Sequence, residues 1–440
     1  MTLTIDSLGV PRFVSPLKRT VNEQMRVPFW MTTDPGRGTA ENYFFEIAGP
    51  RRELYFDGAM VRAGIVTCGG LCPGLNNVIR SVYYELSHAY GVREIYGFLY
   101  GYQGLDPARG GDPLRLTDEF VDPIHKRGGT VIGTSRGPVD PRLAVDNLVK
   151  RGINVLFCVG GDGTQRGANE LHQEAQRRGY PLAVVGIPKT IDNDVGFVAR
   201  TFGYSTAVEA AREIIDSAHT EARSVQNGIS LVKVMGRHAG FIAAGATIAS
   251  QDVNFTLIPE VPFVLEGERG FLAALGRRMA RRAHAVIVVA EGAGQDLLAQ
   301  GQSGKDASGN VKLNDIGPFL KDRIESHFKS EGVPVVMRYF DPSYVIRSRP
   351  ANCEDSILCD LYARHAVHAA MAGKTGLVIG YLHDSFIHVP VEALVAEKKR
   401  LNPEGGWWHA VLAATGQPEQ FGPPAEEGLS RREREILEAL

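Results

Sequence analysis

Pro188-Lys189-Thr190-Ile191-Asp192-Asn193-Asp194 gathers two carboxylates, an amide, a hydroxyl and an ammonium directly after an apolar run from Leu182 to Ile187. A short, β-rich apolar run reads as a buried strand, so the polar heptad falls on the loop at its carboxyl end. Open parallel sheets hold their ligands at such loops. One carboxylate there can take a proton from a hydroxyl while Lys189 and a metal face a phosphate. The same residue types also suit a solvated turn in which Asp and Asn close Asx turns or cap a helix. The neighbouring loops must decide between the two.

Those loops repeat one design. Ile153 to Val159 reads as an apolar strand running into Gly160-Gly161-Asp162-Gly163-Thr164-Gln165, with a helix expected from Arg166. Glycines around one carboxylate suit a polyphosphate with a divalent metal, the backbone wrapping the oxygens and Asp162 holding Mg²⁺. Upstream, Val61 to Thr67 reads as a strand and Cys68 to Asn77 as a loop holding Gly69, Gly70 and Gly74. A helix from Val78 to about Tyr90 and a strand from Glu94 to Tyr100 complete a βαβ unit. The glycine spacing is neither GxGxxG nor GxxxxGK[ST], so neither dinucleotide-binding nor P-loop fingerprints apply. Gly133-Thr134-Ser135-Arg136-Gly137 offers a guanidinium for a two-pronged phosphate clamp.

Further on, the strand Ile229 to Val234 leads to Met235-Gly236-Arg237-His238, where Arg237 stands at a strand-to-helix turn suited to an anion and His238 reads as structural. Pro259-Glu260 ends a short strand, placing a carboxylate to accept bonds from sugar hydroxyls or to cap the next element. Val333 to Phe340 leads into Asp341 to Arg347, and Arg338, Tyr344 and Arg347 form a second candidate anion pocket. His365 and His368 share a helical face without an evident third ligand, so no metal site is expected there.

The bulk properties set bounds. A chain of 440 residues implies two or three domains. A net charge of −2 gives no basic excess for nucleic acid as the main partner. No apolar run reaches membrane-spanning length, and Met1 to Pro16 has no apolar core suited to a signal peptide. Five cysteines, odd in number, fit the reduced thiols of a cytoplasmic protein rather than a disulfide framework. Ser430 with Glu433 has capping-box spacing for a short terminal helix.

Taken in order, Gly69-Gly70 with Pro73 to Asn76, Gly133 to Gly137, Gly160 to Gly167, Pro188 to Asp194, Met235 to Arg237, Pro259-Glu260 and Asp341 to Arg347 resemble the loops of the phosphofructokinase family. The likeness runs from about residue 61 to 384 and is greatest to the long form of plants and trypanosomatids. The resemblance implies an α/β fold of two Rossmann-like three-layer domains with mainly parallel sheets, plus an amino-terminal extension. The expected boundaries are 1–60 for the extension, 61–204 completed by 345–395 for the donor domain, 205–344 for the sugar-phosphate domain and 396–440 for a helical tail.

The resemblance also implies roles. Asp192 would accept the proton of a sugar C1 hydroxyl, with Lys189 and Arg237 as catalytic cations and Asp162 as the Mg²⁺ holder, assisted by Asp194. Gly69, Gly70, Arg136, Gly137, Gly161, Asp162, Gly163 and Thr164 would bind ATP. Thr190, Asp192, Asp194, Met235, Gly236, Arg237, Glu260, Arg338, Tyr344 and Arg347 would hold fructose 6-phosphate. A homo-oligomer, dimer or tetramer, would be the working form.

The donor rests on a further point of resemblance. In this family glycine after the metal-holding aspartate leaves room for the ATP α-phosphate, whereas aspartate there favours pyrophosphate. Gly163 therefore points to ATP, although Lys189 is typical of pyrophosphate users; long ATP-using forms combine the two. Two departures stand out: Gly228 replaces a substrate-phosphate arginine of short bacterial enzymes, and Tyr84 replaces an effector-site arginine, although Arg80 matches. The alternatives are a pyrophosphate-dependent phosphotransferase, a lipid or NAD kinase sharing GGDGT, and a non-catalytic sugar-phosphate-binding subunit. The last would be marked by loss of the carboxylate that Asp192 retains.

Overall fold

The structure is a computed structural model that describes residues 2–31, 42–298, 304, 312–396 and 398–422. The chain divides into two compact units, each discontinuous in sequence: unit 1 is Met1–Ala207, Ser303–Lys312 and Tyr344–Lys399, and unit 2 is Val208–Gln302, Leu313–Ser343 and Arg400–Leu440.

In unit 1 the described residues build a nine-stranded sheet. Its centre is parallel: Leu377–Leu382, Ala183–Pro188, Val155–Gly160, Arg62–Thr67 and Glu94–Gly97 lie side by side in that order. Arg62–Thr67, Val155–Gly160 and Ala183–Pro188 are almost continuously apolar and buried, which is how strands covered on both faces read. Val66, Leu156, Cys158 and Val184 pack with Ala144, Val145, Ala168 and Leu171 of helices Pro141–Lys150 and Asp162–Arg177. Helix Cys353–Met371 packs against Leu75–Tyr84 and the strand Ala183–Pro188. Antiparallel strands finish both edges.

Phe44–Ile47 and Arg26–Pro28 belong to one of those edges, beyond Ser385–Pro390. The segment read as an extension therefore contributes strands to the main sheet. Its anchor is polar: Arg51 is buried to 1% exposure and donates to Glu46 at 2.7 Å and to the Ile47 carbonyl at 2.6 Å. Isolated aromatics give this segment little periodicity, but Phe29, Tyr43 and Phe45 have their rings within 6.1 Å of Phe197.

Unit 2 has a parallel four-stranded sheet in the order Phe255–Leu257, His284–Ala290, Gly228–Val234, Val336–Phe340. Ile229, Leu231, Ile287 and Val289 pack with Phe271, Leu275, Leu320 and Ile324 from helices Phe271–Arg282 and Ile316–Ser330. Helix Phe241–Ser250 packs with helix Gly406–Thr415, the element found within the expected helical tail. The expected helix around Ser430 and Glu433 lies outside the described residues. No described helix is long and apolar enough to cross a membrane.

Candidate active site

The carboxyl ends of the parallel strands carry the chemistry-bearing loops of each unit. In unit 1, helix Asp162–Arg177 starts directly after the strand Val155–Gly160, with Gly161 as N-cap residue and Asp162 in the first turn. The expected start at Arg166 is corrected to Asp162. An aspartate in the first turn complements the helix dipole and outweighs the poor helix propensity of Gly163. The buried Gln165 amide donates to the carbonyls of Gly160 at 2.9 Å and Ile187 at 3.3 Å, fixing this turn to both central strands.

The glycines here exist for different reasons. A Cβ on Gly160 would lie 2.1 Å from Thr164 Oγ1, and one on Gly167 would lie 2.6 Å from the Tyr102 ring, so both are demanded by packing. A Cβ on Gly163 meets nothing nearer than Arg166 Nη2 at 4.0 Å, and its φ is not in the positive range. Neither packing nor backbone strain calls for glycine at 163. It leaves open space beside Asp162.

Burial pushes the Asp162 carboxyl upward, and the charge of Asp194 adds to the effect, while Lys398 and Arg166 partly offset it. A carboxylate at the head of a helix, with a second one near enough to repel it, fits a hard divalent cation, which needs only one or two protein oxygens beside those of a phosphate.

The second loop is zipped to the third. Cys68 and Ser135 form a parallel bridge, the Gly69 N–H donates to the Ser135 carbonyl at 3.0 Å, and Thr134 Oγ1 donates to the Gly69 carbonyl at 2.8 Å. Gly69 has φ +87°, a conformation open to glycine. Lys189 Nζ donates to the Gly70 carbonyl at 2.6 Å. A Cβ on Gly70 would lie 3.6 Å from an Arg347 nitrogen and 3.7 Å from one of Arg136. Lys189, Arg136 and Arg347 therefore converge on one glycine turn, as an anion requires. Burial pushes the Lys189 ammonium downward, and the Arg136 charge acts the same way against the nearby thiols of Cys72 and Cys68. Arg347 lies with the loop assigned to the donor, although the resemblance gave it to the sugar phosphate. Its guanidinium also covers the Tyr344 ring at 4.6 Å, while Tyr344 itself is largely exposed.

The heptad is a braced loop rather than a loose turn. Thr190 Oγ1 accepts the Asp192 N–H at 3.1 Å and donates to Asp194 at 3.0 Å. Asn193 takes φ +54°, which Asn tolerates, and its side-chain oxygen accepts the Thr201 N–H at 3.0 Å. Thr201 Oγ1 donates to the Thr190 carbonyl at 2.7 Å. On the other side, Val195 bridges Lys398 and the Lys399 N–H donates to the Asp194 carbonyl at 3.2 Å. Thr201, Lys398 and Lys399 carry no signal in the sequence, since Thr201 stands outside the heptad and Lys398-Lys399 lie far along the chain from it.

In unit 2, Met235, Gly236 and Arg237 follow the strand Gly228–Val234. Gly236 has φ +127° and its carbonyl accepts the Gly292 N–H at 3.0 Å, seating the loop on the end of the neighbouring strand. Glu260 accepts the Gly240 N–H with both oxygens at 3.0 Å and the Leu401 N–H at 2.9 Å. Burial pushes its carboxyl up, and the bonds from Leu401 and Gly240 offset this. Glu260 thus combines a capping role with its candidate role toward a ligand. Arg338 is exposed on the strand Val336–Phe340, 3.6 Å from Glu221. A Cβ on Gly228 would lie 2.1 Å from the Ala222 carbonyl, so close packing explains glycine where the resemblance led to an arginine.

The profile of the family described as Phosphofructokinase matches residues 62–370. The chain belongs to the phosphofructokinase family. It is 46% identical over 430 residues to the ATP-dependent 6-phosphofructokinase of Borreliella burgdorferi, covering 94% of this chain and 96% of that one. It is 47% identical over 381 residues to ATP-dependent 6-phosphofructokinase 7 of Arabidopsis thaliana, covering 86% and 78%. Among solved structures, a pyrophosphate-dependent phosphofructokinase from Marinobacter aquaeolei aligns with a TM-score of 0.67, covering 84% of this chain and 95% of that one. At 22% identity that likeness carries the fold alone. The phosphofructokinase fold expected from the loops is the fold observed.

Proposed function

We propose that this phosphofructokinase-family chain is an ATP-dependent 6-phosphofructokinase, transferring the γ-phosphoryl group of MgATP to the C1 hydroxyl of fructose 6-phosphate. The observation that carries the donor is the open space at Gly163 beside Asp162. The products are fructose 1,6-bisphosphate and ADP.

Phosphoryl transfer asks for alignment and for cations around the equatorial oxygens more than for covalent help. The reading assigns the donor phosphates to the Gly69-Gly70 turn, Arg136, Gly137 and the first turn of helix Asp162–Arg177. Asp162, with Asp194, would hold Mg²⁺, which supplies charge neutralisation at the phosphoryl oxygens when bound. Asp192 takes the proton of the C1 hydroxyl as its oxygen bonds to the γ-phosphorus and the bond from that phosphorus to the β-bridging oxygen breaks. Lys189 and Arg237 stabilise charge on the transferring group. Thr190, Met235, Gly236, Glu260, Arg338 and Tyr344 are assigned to the sugar phosphate, while the place of Arg347 beside Gly70 assigns it to the donor phosphates. The cytoplasm and a homo-oligomeric state complete the proposal, the latter checked by light scattering.

Lys189, by resemblance typical of pyrophosphate users, favours a second reading, a pyrophosphate-dependent enzyme. A donor-swap assay on one preparation separates the two. Faster formation of fructose 1,6-bisphosphate from ATP supports the first reading, and faster formation from pyrophosphate replaces it with the second.

A further inference from the structure

The heptad loop has two braces. Thr201 is one; the other is the pair Lys398-Lys399, on a segment that follows the helix Val391–Ala396. Lys399 makes three contacts with one stretch of chain. Its N–H donates to the Asp194 carbonyl at 3.2 Å, and its ammonium donates to the carbonyls of Val198 at 3.0 Å and Ala199 at 2.7 Å. Ala199 also accepts from the Asn193 side chain at 3.4 Å. The ammonium thereby holds the return of the loop whose outward limb carries Asp192 and Asp194.

We propose that Lys399 is a positioning residue for the acid–base loop: its charge, fixed on the Val198 and Ala199 carbonyls beside Asp194, sets the geometry in which Asp192 and Asp194 work. The inference rests on the phosphotransferase reading above and deepens it. A neutral residue of the same length would keep the backbone bond to Asp194 but lose both carbonyl bonds and the opposing charge. The loop would then sample other arrangements, and chemistry would suffer more than binding, because a small misplacement of catalytic groups has a large effect on rate.

The test uses the full chain as wild type, Lys399→Arg and Lys399→Met, with kcat and KM read for both substrates. A second readout is hydrogen exchange of the ligand-free proteins over Asp192 to Thr201. Lys399→Met should lose about 10- to 100-fold in kcat at neutral pH with KM values little changed, and should exchange faster across the loop. Lys399→Arg should recover most of the turnover, since its charge persists. Wild-type turnover in a folded Lys399→Met, or turnover in Lys399→Arg no better than in Lys399→Met, would overturn the proposal. If Lys399→Met fails to fold, Lys399→Gln takes its place with the same expected outcome. The exchange result stands whatever the substrates prove to be, so an inactive wild type counts against the phosphotransferase reading alone.

Discussion

Lys189 places its ammonium 2.6 Å from the Gly70 carbonyl, joining the loop after one central strand to the glycine turn after another. That bond sets a buried cation beside Arg136 and Arg347 at Gly70. Lys189→Met should reduce kcat by about 10²–10³, the range seen when one preorganised stabilising group is removed. Steady-state kinetics with ATP and fructose 6-phosphate check this, and an unchanged kcat would remove Lys189 from the chemistry.

Gly163 is the residue on which donor choice turns. Since a Cβ there meets nothing closer than 4.0 Å, Gly163→Asp should fold with a melting temperature close to wild type. Its kcat/KM for ATP should nevertheless fall by at least about 10²-fold, through loss of room and like charge against the phosphates. Competing initial rates with ATP and pyrophosphate measure the change.

Asp162 gives a prediction about metal. Its carboxyl is raised by burial and by Asp194, so stability is lost as pH rises from the ordinary carboxylate range through that raised value. Mg²⁺ should therefore stabilise the nucleotide-free protein at pH 7.5, by about 1 kcal/mol at roughly five times its dissociation constant. The gain should shrink near pH 4 and in Asp162→Asn. Thermal melting with and without Mg²⁺ is the measurement.

How much of this was legible beforehand follows from how local each feature is. GGDGT and the heptad are short strings whose types state their chemistry, and the strands behind them are continuous apolar runs. The sequence places the start of helix Asp162–Arg177 at Arg166 because Gly163 argues against a helix, whereas the bonds that fix the earlier start run from Gln165 to two different strands. The role of Phe44–Ile47 at a sheet edge depends on pairing with Ser385–Pro390, far along the chain. Lys399 was hidden in a basic triplet, Lys398-Lys399-Arg400, which reads as solvated surface until its partners at 194, 198 and 199 are seen.

The edge sheet makes its own prediction. Burial pushes the Glu46 carboxyl up, but the bond and charge of His388 and the charges of Lys374 and Arg51 outweigh it and hold the value at about 2. A depressed carboxylate contributes stability that is complete above its ordinary 4.5 and is lost as pH falls through 2. Glu46→Ala leaves the Arg51 charge buried against a carbonyl alone and should cost about 3–5 kcal/mol at pH 7. Denaturant unfolding at pH 7 and at pH 2 tests it, with the difference from wild type expected to narrow in acid.

The central claim is that the carboxylate of Asp192, held in the braced heptad loop, removes the sugar proton during phosphoryl transfer. The most direct test is kcat of Asp192→Ser with ATP and fructose 6-phosphate, read beside the sugar-phosphate KM. A fall in kcat of about 10²–10⁴ with KM within a few-fold is the predicted result. Turnover equal to wild type would contradict it.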